Sequence, residues 1–239
     1  MCDTCGCGDT KIVPVEVHRG LLAGNDRTAA HNRAHFRDHC VLAVNLMGSP
    51  GAGKTALLEA TARASGAARR LAAITGDLET DRDAVRLRAA GIPSESISTG
   101  SACHLDADMI HRALHDGAAH DADTLFIENV GNLVCPAIYD LGQAVNVVAL
   151  SVTEGEDKPL KYPVMFRKAD LVLLTKTDLL PALPDFDRSA LDAALARVMP
   201  APRLLAVSAR TGSGIADWGA WLETRRRVAR RKEGAPCEA

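Results

Sequence analysis

Gly48-Ser49-Pro50-Gly51-Ala52-Gly53-Lys54-Thr55 lies between an apolar run, Val41-Leu42-Ala43-Val44-Asn45-Leu46, and a helix-forming run, Ala56-Leu57-Leu58-Glu59-Ala60. These eight residues fit the pattern G-x-x-x-x-G-K-S/T with no mismatch. In that pattern glycines turn backbone N–H groups inward on a polyphosphate, the lysine (Lys54) neutralises its terminal charge, and the hydroxyl (Thr55) reaches Mg²⁺. A strand before the loop and a helix after it are the context in which it works. From residue 40 onward the same alternation continues. Strands are predicted at Val41–Leu46, Arg70–Ile74, Ser94–Ser98, Thr124–Ile127, Val145–Val152, Leu171–Thr175 and Leu204–Val207. Helices are predicted at Lys54–Ala64, Asp81–Ala90, Asp106–Asp116, Leu160–Phe166, Arg188–Val198 and Ile215–Arg231. The fold class is therefore α/β, with a mostly parallel sheet flanked by helices. Ligands of such sheets sit at the carboxyl ends of the strands.

The 239 residues are 47% apolar but only 3% aromatic, so the core is built from Ala, Leu and Val. A formal net charge of −2 argues against nucleic acid as a partner. No apolar run is long enough to cross a bilayer. Met1-Cys2-Asp3-Thr4-Cys5-Gly6-Cys7 has no basic-then-apolar signal pattern, so the expected compartment is the cytoplasm, where thiols stay reduced. Seven cysteines, an odd number in irregular clusters, then point to metal ligands rather than a disulfide framework. Four segments follow from composition: a flexible cysteine-rich tail over residues 1–11, a helical lead-in over 12–39, the phosphate-loop domain over 40–232 and a frayed end over 233–239. The basic run Thr224–Lys232 reads as a solvated helix end, where cations are favoured.

Base choice is carried by Thr175-Lys176-Thr177-Asp178, which closes a strand and resembles the N-K-x-D signature of G proteins. An ionised Asp178 accepts from guanine N1–H and the 2-amino group together, and adenine offers neither donor there. Lys176 lays its aliphatic stem along the base; Thr175 keeps a hydroxyl but lacks the usual amide. Ser208-Ala209-Arg210 closes another strand and resembles the element whose backbone N–H meets the guanine carbonyl. GTP is thus favoured over ATP. Asp77 and Glu128 end two strands beside the phosphates, where Mg²⁺ needs oxygen ligands. Asp77 serves equally well as the residue that holds the attacking water.

Two further sets are metal ligands by type. Cys2-x-x-Cys5-x-Cys7 offers three thiols that can close small chelate rings on Zn²⁺, Ni²⁺ or Cu⁺. Cys103-His104 and Cys135 leave the carboxyl ends of strands on the nucleotide side. A thiolate and an imidazole there can share a metal, completed by a second subunit; a lone buried cysteine is equally an inert thiol. His31, His35 and His39, and likewise His111 and His115, recur at four-residue spacing and read as solvated helix histidines. Cys40 and Cys237 carry no assignment.

Taken together, these motifs resemble the hydrogenase nickel-incorporation GTPases of the HypB type. The likeness rests on Cys2-x-x-Cys5-Gly6-Cys7, Gly48–Thr55, Gly76-Asp77-Leu78-Glu79-Thr80, Cys103-His104-Leu105, the stretch from Glu128 to Pro136, the stretch from Glu154 to Pro163, and Thr175–Asp178. It implies a GTP-dependent homodimer that carries Ni²⁺, exchanges it with a partner metallochaperone and delivers it to the hydrogenase large subunit. It also implies that Cys103, His104 and Cys135 form a Ni²⁺ or Zn²⁺ site at the dimer interface, and that Cys2, Cys5 and Cys7 form a separate nickel site. No long polyhistidine stretch is present, so nickel storage is not indicated. Asn132 stands where a water-orienting Gln is expected, so turnover should be slow. The rivals are an assembly GTPase for urease or a cobalamin enzyme, a phosphate-loop nucleotide kinase, and a metal-storage module. The cysteine trio opposes the first, Asp178 with Ser208-Ala209-Arg210 the second, and the intact phosphate loop the third.

Overall fold

Leu42–Gly48 forms β1, and all seven of its residues are buried. A strand covered on both faces has no polar side, which is why its sequence is apolar apart from Asn45, whose buried amide is hydrogen-bonded to Asn146 and Asn129. β1 pairs in parallel with β4 (Thr124–Glu128) on one side and β5 (Val145–Ser151) on the other. With β2 (Leu71–Asp77), β3 (Ser94–Ser98), β6 (Leu171–Thr175) and β7 (Leu204–Ala206) it makes a seven-stranded, all-parallel sheet in the order β3-β2-β4-β1-β5-β6-β7. These elements belong to a computed structural model that describes residues 15–231 apart from 78, 79, 101 and 118–120. Among those residues no helix is long and apolar enough to cross a membrane.

The helices are α1 (Val15–Asp38), α2 (Lys54–Ser65), α3 (Arg82–Ala89), α4 (Ala107–His115), α5 (Lys158–Lys161), α6 (Pro163–Lys168), α7 (Arg188–Val198) and α8 (Ile215–Arg231). One face of β1, Leu42, Val44 and Leu46, packs with Leu57, Leu58, Leu87, Trp218 and Leu222 of α2, α3 and α8. Trp218 is fully buried and donates its indole N–H to Thr61 Oγ1 at 3.0 Å, so the largest core side chain leaves no polar atom unpaired. The opposite face is split between two clusters. Ala43, Ile74 and Ile127 meet Phe36, Ile110 and Leu114 of α1 and α4. Met47, Val148 and Leu150 meet Met165, Phe166, Leu191 and Leu195 of α6 and α7.

Three expectations change. β1 runs on to Gly48, because Gly48 pairs with Ala149, and a Cβ there would lie 2.4 Å from the Ala149 carbonyl oxygen. The helix predicted at Leu160–Phe166 is broken into α5 and α6 at Tyr162, since Pro163 has no N–H to continue the ladder and disfavours helical backbone before it. The basic helix end is partly pinned: Arg226 bridges buried Asp123 at 3.1 Å and Glu223 at 2.9 Å. α1 is held against α4 by polar pins, with Asn25 Oδ1 accepting the Ala107 N–H at 2.9 Å and Asn32 Nδ2 donating to the Ala107 and Leu141 carbonyls at 2.9 and 3.2 Å.

Candidate functional site

The loop between β1 and α2 opens into a cavity of about 400 Å³ at the carboxyl ends of the strands, lined by Pro50, Gly53, Lys54, Thr55, Asp77 and Glu128 among others. Gly53, at φ 89°, turns the chain into α2, so the first helical N–H groups face the cavity. Lys54 is buried and its Nζ donates to the Gly48 and Ser49 carbonyls at 3.2 Å each. Burial lowers its pKa, and Glu128 partly offsets this. Thr55 Oγ1 donates to Glu128 Oε1 at 2.8 Å. Glu128 Oε2 is buried and finds no hydrogen-bond partner among the described residues. Desolvation pushes the Glu128 carboxyl up to about 7, with Lys54 and Thr55 pulling the other way. An anionic oxygen left unpaired beside a hydroxyl, in a phosphate-sized cavity, is a donor set that fits Mg²⁺. Asp77 lines the same wall and accepts the Thr80 N–H at 3.3 Å.

The base motif lies next to this loop. Thr175 Oγ1 is buried and donates to the Ala52 carbonyl at 2.6 Å, so the hydroxyl that replaces the expected amide ties β6 to the phosphate loop. Lys176 adopts left-handed backbone at φ 57°, a conformation that persists in a non-glycine residue only where the surroundings enforce it. Asp178 Oδ1 accepts from Ser208 Oγ at 2.6 Å, which orients the carboxylate. Arg210 approaches Asp178 only to 3.9 Å and is 82% exposed, so it adds little.

The structure brings Cys103, His104 and Cys135 together in one chain, with one ligand atom from each all within 4.8 Å of one another. Cys103 Sγ is 4.0 Å from His104 Nδ1. The His104 ring stacks on Tyr139 at 3.9 Å between centroids, and burial lowers its pKa, which favours the neutral, ligating imidazole. A hydrogen bond with Cys103, then burial, raises the Cys135 thiol. This set leaves at least one coordination direction for a further ligand.

One loop joins the two places. Glu128 holds Thr55, and the next residue, Asn129, accepts the Leu105 N–H at 3.1 Å through its Oδ1. Asn129 Nδ2 donates to Asn45 Oδ1 in β1 at 3.2 Å, so its amide is fixed at both ends. Asn132 donates to the Cys103 carbonyl at 3.4 Å and accepts the Val134 N–H at 2.8 Å. Gly131 packs so closely on Pro50 of the phosphate loop that a Cβ would sit 2.9 Å from its ring.

Several contributors escape the sequence motifs or, like Glu154, stand in one without an assigned role. Asp83 and Arg86 of α3 line the cavity, and Arg86 is held by a two-pronged bond to Glu59 at 3.0 Å per contact. Glu154 accepts from Ser49 and caps Ser151 N at 2.9 Å, which anchors the phosphate loop to β5. The signal for Glu154 was available: Ser151-x-x-Glu154 is a capping box. Asn132, read as the replacement for a water-orienting Gln, turns toward Cys103 instead. Cys2, Cys5 and Cys7 lie outside the described residues.

A family model described as CobW/HypB/UreG, nucleotide-binding domain, matches residues 42–203. The hydrogenase maturation factor HypB of Azotobacter chroococcum mcd 1 is 54% identical over 212 residues, spanning 89% of this chain and 69% of that protein. Among solved structures, HypB from Helicobacter pylori in complex with nickel has a TM-score of 0.80 at 37% identity, covering 90% of this chain and 99% of that one. HypB from Archaeoglobus fulgidus has a TM-score of 0.77 at 40% identity, covering 87% and 100%. The stretch matched by the family model includes every residue named above for the phosphate cavity and for the sulfur–imidazole cluster, and the chain therefore belongs to the hydrogenase maturation factors HypB, P-loop GTPases of the CobW/HypB/UreG family.

Proposed function

We propose that this chain is a GTP-driven nickel carrier of the cytoplasm that delivers Ni²⁺ for assembly of the nickel–iron centre of a hydrogenase. The observation that carries this is the shared loop: Glu128 contacts Thr55 of the phosphate site, and Asn129 and Asn132 hold the backbone on either side of His104. Lys54, Thr55 and the loop Gly48–Gly53 hold the triphosphate, and Thr175, Lys176, Asp178 and Ser208-Ala209-Arg210 hold guanine. Thr55 and Glu128, with Asp77 nearby, hold Mg²⁺, which neutralises charge on the phosphates when bound. Cys103, His104 and Cys135 hold the cargo, Ni²⁺ or Zn²⁺, and Cys2, Cys5 and Cys7 supply the second nickel site. Because Asn129 directly follows Glu128 and its Oδ1 accepts the Leu105 N–H, a shift of Glu128 toward the γ-phosphate moves the Leu105 N–H, and with it the ligands just before it. GTP and metal then favour one arrangement of the loop together, and hydrolysis releases both. A second copy of the chain fills the remaining metal position, so the GTP-bound carrier is a homodimer. A metallochaperone and the hydrogenase large subunit are the exchange partners. With Asn132 engaged elsewhere and Arg86 engaged by Glu59, turnover is slow, on the order of 10⁻⁴ to 10⁻² per second as for unassisted GTPases.

Size-exclusion chromatography of the nickel-loaded protein, with a chelator in the buffer, tests carrier and dimer together. With a non-hydrolysable GTP analogue and Mg²⁺ the protein should elute as a dimer and keep its internal nickel. With GTP it should lose that nickel to the chelator at the rate of hydrolysis and revert to monomer. Equal nickel loss in both cases would overturn the proposal.

A further inference from the structure

Among the described residues that line the phosphate cavity, the cations are Lys54 and Arg86. Lys54 is buried and tied to the loop, whereas the Arg86 side chain is 47% exposed and is not packed in place. The anchor of Arg86 lies on the neighbouring helix. Glu59 follows Thr55 by four residues in α2, so the two side chains share one face of that helix. Glu59 grips the guanidinium from that face, with Arg86 Nε donating to Oε1 and Nη2 to Oε2, each at 3.0 Å. Asp83, one turn earlier in α3, accepts from Nη1 at 3.4 Å. The arginine fork thus rests about one helical turn from Thr55, whose hydroxyl lies against Glu128.

These bonds to Glu59 and Asp83 occupy three of the five guanidinium N–H groups, which leaves two for an incoming anion. The hold is weak, because both Arg86 and Glu59 keep contact with water, and ion pairs of that kind contribute little. A polyphosphate carries several charges where Glu59 carries one. Two-pronged contact with phosphate oxygens is also what a planar guanidinium makes best. The field of the cavity already reaches Arg86: Glu59 first, then Asp83 and Glu128, hold the guanidinium above its ordinary pKa against the cost of burial.

We infer that Arg86 is a catalytic residue for GTP hydrolysis, supplied in cis, and that Glu59 is the latch that withholds it. In the hydrolysis step water forms a bond to the γ-phosphorus, the bond from the γ-phosphorus to the β–γ bridging oxygen breaks, and GDP and inorganic phosphate leave. Arg86 transfers no proton. It leaves Glu59, turns into the cavity and neutralises the charge that builds on the bridging and γ-phosphate oxygens. Glu59 competes for the same N–H groups, so only part of the GTP-bound population is set for hydrolysis at any moment. That competition slows turnover in addition to the engagement of Asn132 with Cys103.

Steady-state GTP hydrolysis by the full chain, with Mg²⁺ and without nickel, gives kcat and KM, and calorimetry gives GDP affinity. Arg86→Ala is expected to lower kcat by about 20-fold, the gap between GTPases with and without an arginine in cis, with KM and GDP affinity unchanged. Arg86→Lys should recover only part of that loss, because an ammonium cannot fork. Glu59→Gln keeps the shape and removes the charge, so it should raise kcat by about two- to fivefold. Glu59→Gln/Arg86→Ala should be no faster than Arg86→Ala alone. Parental kcat in Arg86→Ala, or a fall in GDP affinity that matches the fall in kcat, would overturn the catalytic assignment. A Glu59→Gln chain slower than the parent would show that Glu59 aligns Arg86 and would overturn the latch. Nickel plays no part in these assays, so a failure here leaves the carrier reading where it stands.

Discussion

Glu128→Gln is expected to lower Mg²⁺-dependent GTP turnover by about two to three orders of magnitude, the loss seen when one preorganised electrostatic contact is removed. The same change should stabilise the nucleotide-free, metal-free protein above neutral pH. Both effects come from burial. The carboxylate beside Thr55 has one oxygen without a partner among the described residues, and desolvation raises its pKa from an ordinary 4.5 to about 7. Below pH 4.5 the group is protonated in folded and unfolded chains alike and costs nothing. As pH rises through the folded value near 7, the unfolded chain has already lost its proton and the folded one must follow. Stability therefore falls across that window, by on the order of 3 kcal/mol. Gln keeps the acceptor for Thr55 and carries no charge, so its stability should not fall there. Urea unfolding at pH 5 and pH 8 without Mg²⁺, with GTP turnover measured beside it, checks this. Parallel pH dependence in the two proteins would show that Glu128 is not the buried charge.

Asp178→Asn should weaken GTP binding by about 10²- to 10³-fold and move base preference toward xanthine. A site built around buried hydrogen-bond partners penalises a mismatched ligand by more than an apolar pocket can. Asp178 is only 14% exposed, and Ser208 fixes its carboxylate at 2.6 Å, so the group cannot swing away to find water. Asn presents an N–H where the guanine 2-amino group needs an acceptor, whereas the xanthine carbonyl at that position welcomes a donor. Calorimetric titration with GDP and XDP measures the change. Unchanged GDP affinity would remove the base-recognition role of Thr175–Asp178.

The parts legible in the sequence are those whose geometry is local. The loop Gly48–Thr55 states its own strand–loop–helix context, and Asp77, Glu128 and Thr175 could be placed because a parallel sheet delivers strand ends to one side. The meeting of Cys103-His104 with Cys135 could not be read from spacing, since about thirty residues and β4 lie between them; only the packing of two loops closes the gap. Asn129 was read only as the neighbour of Glu128. Its importance comes from two hydrogen bonds to distant segments, Asn45 and Leu105, that no local pattern encodes.

In the proposed carrier, phosphate state and metal affinity are set by one loop. The nickel dissociation constant of the Cys2→Ala/Cys5→Ala/Cys7→Ala protein, measured by chelator competition with Mg²⁺ present, tests it most directly. It should differ between GDP and a non-hydrolysable GTP analogue by about 5- to 150-fold, the usual span of coupling between sites. The difference should collapse in Asn129→Ala. Identical nickel constants in the two nucleotide states of the parent would contradict the account.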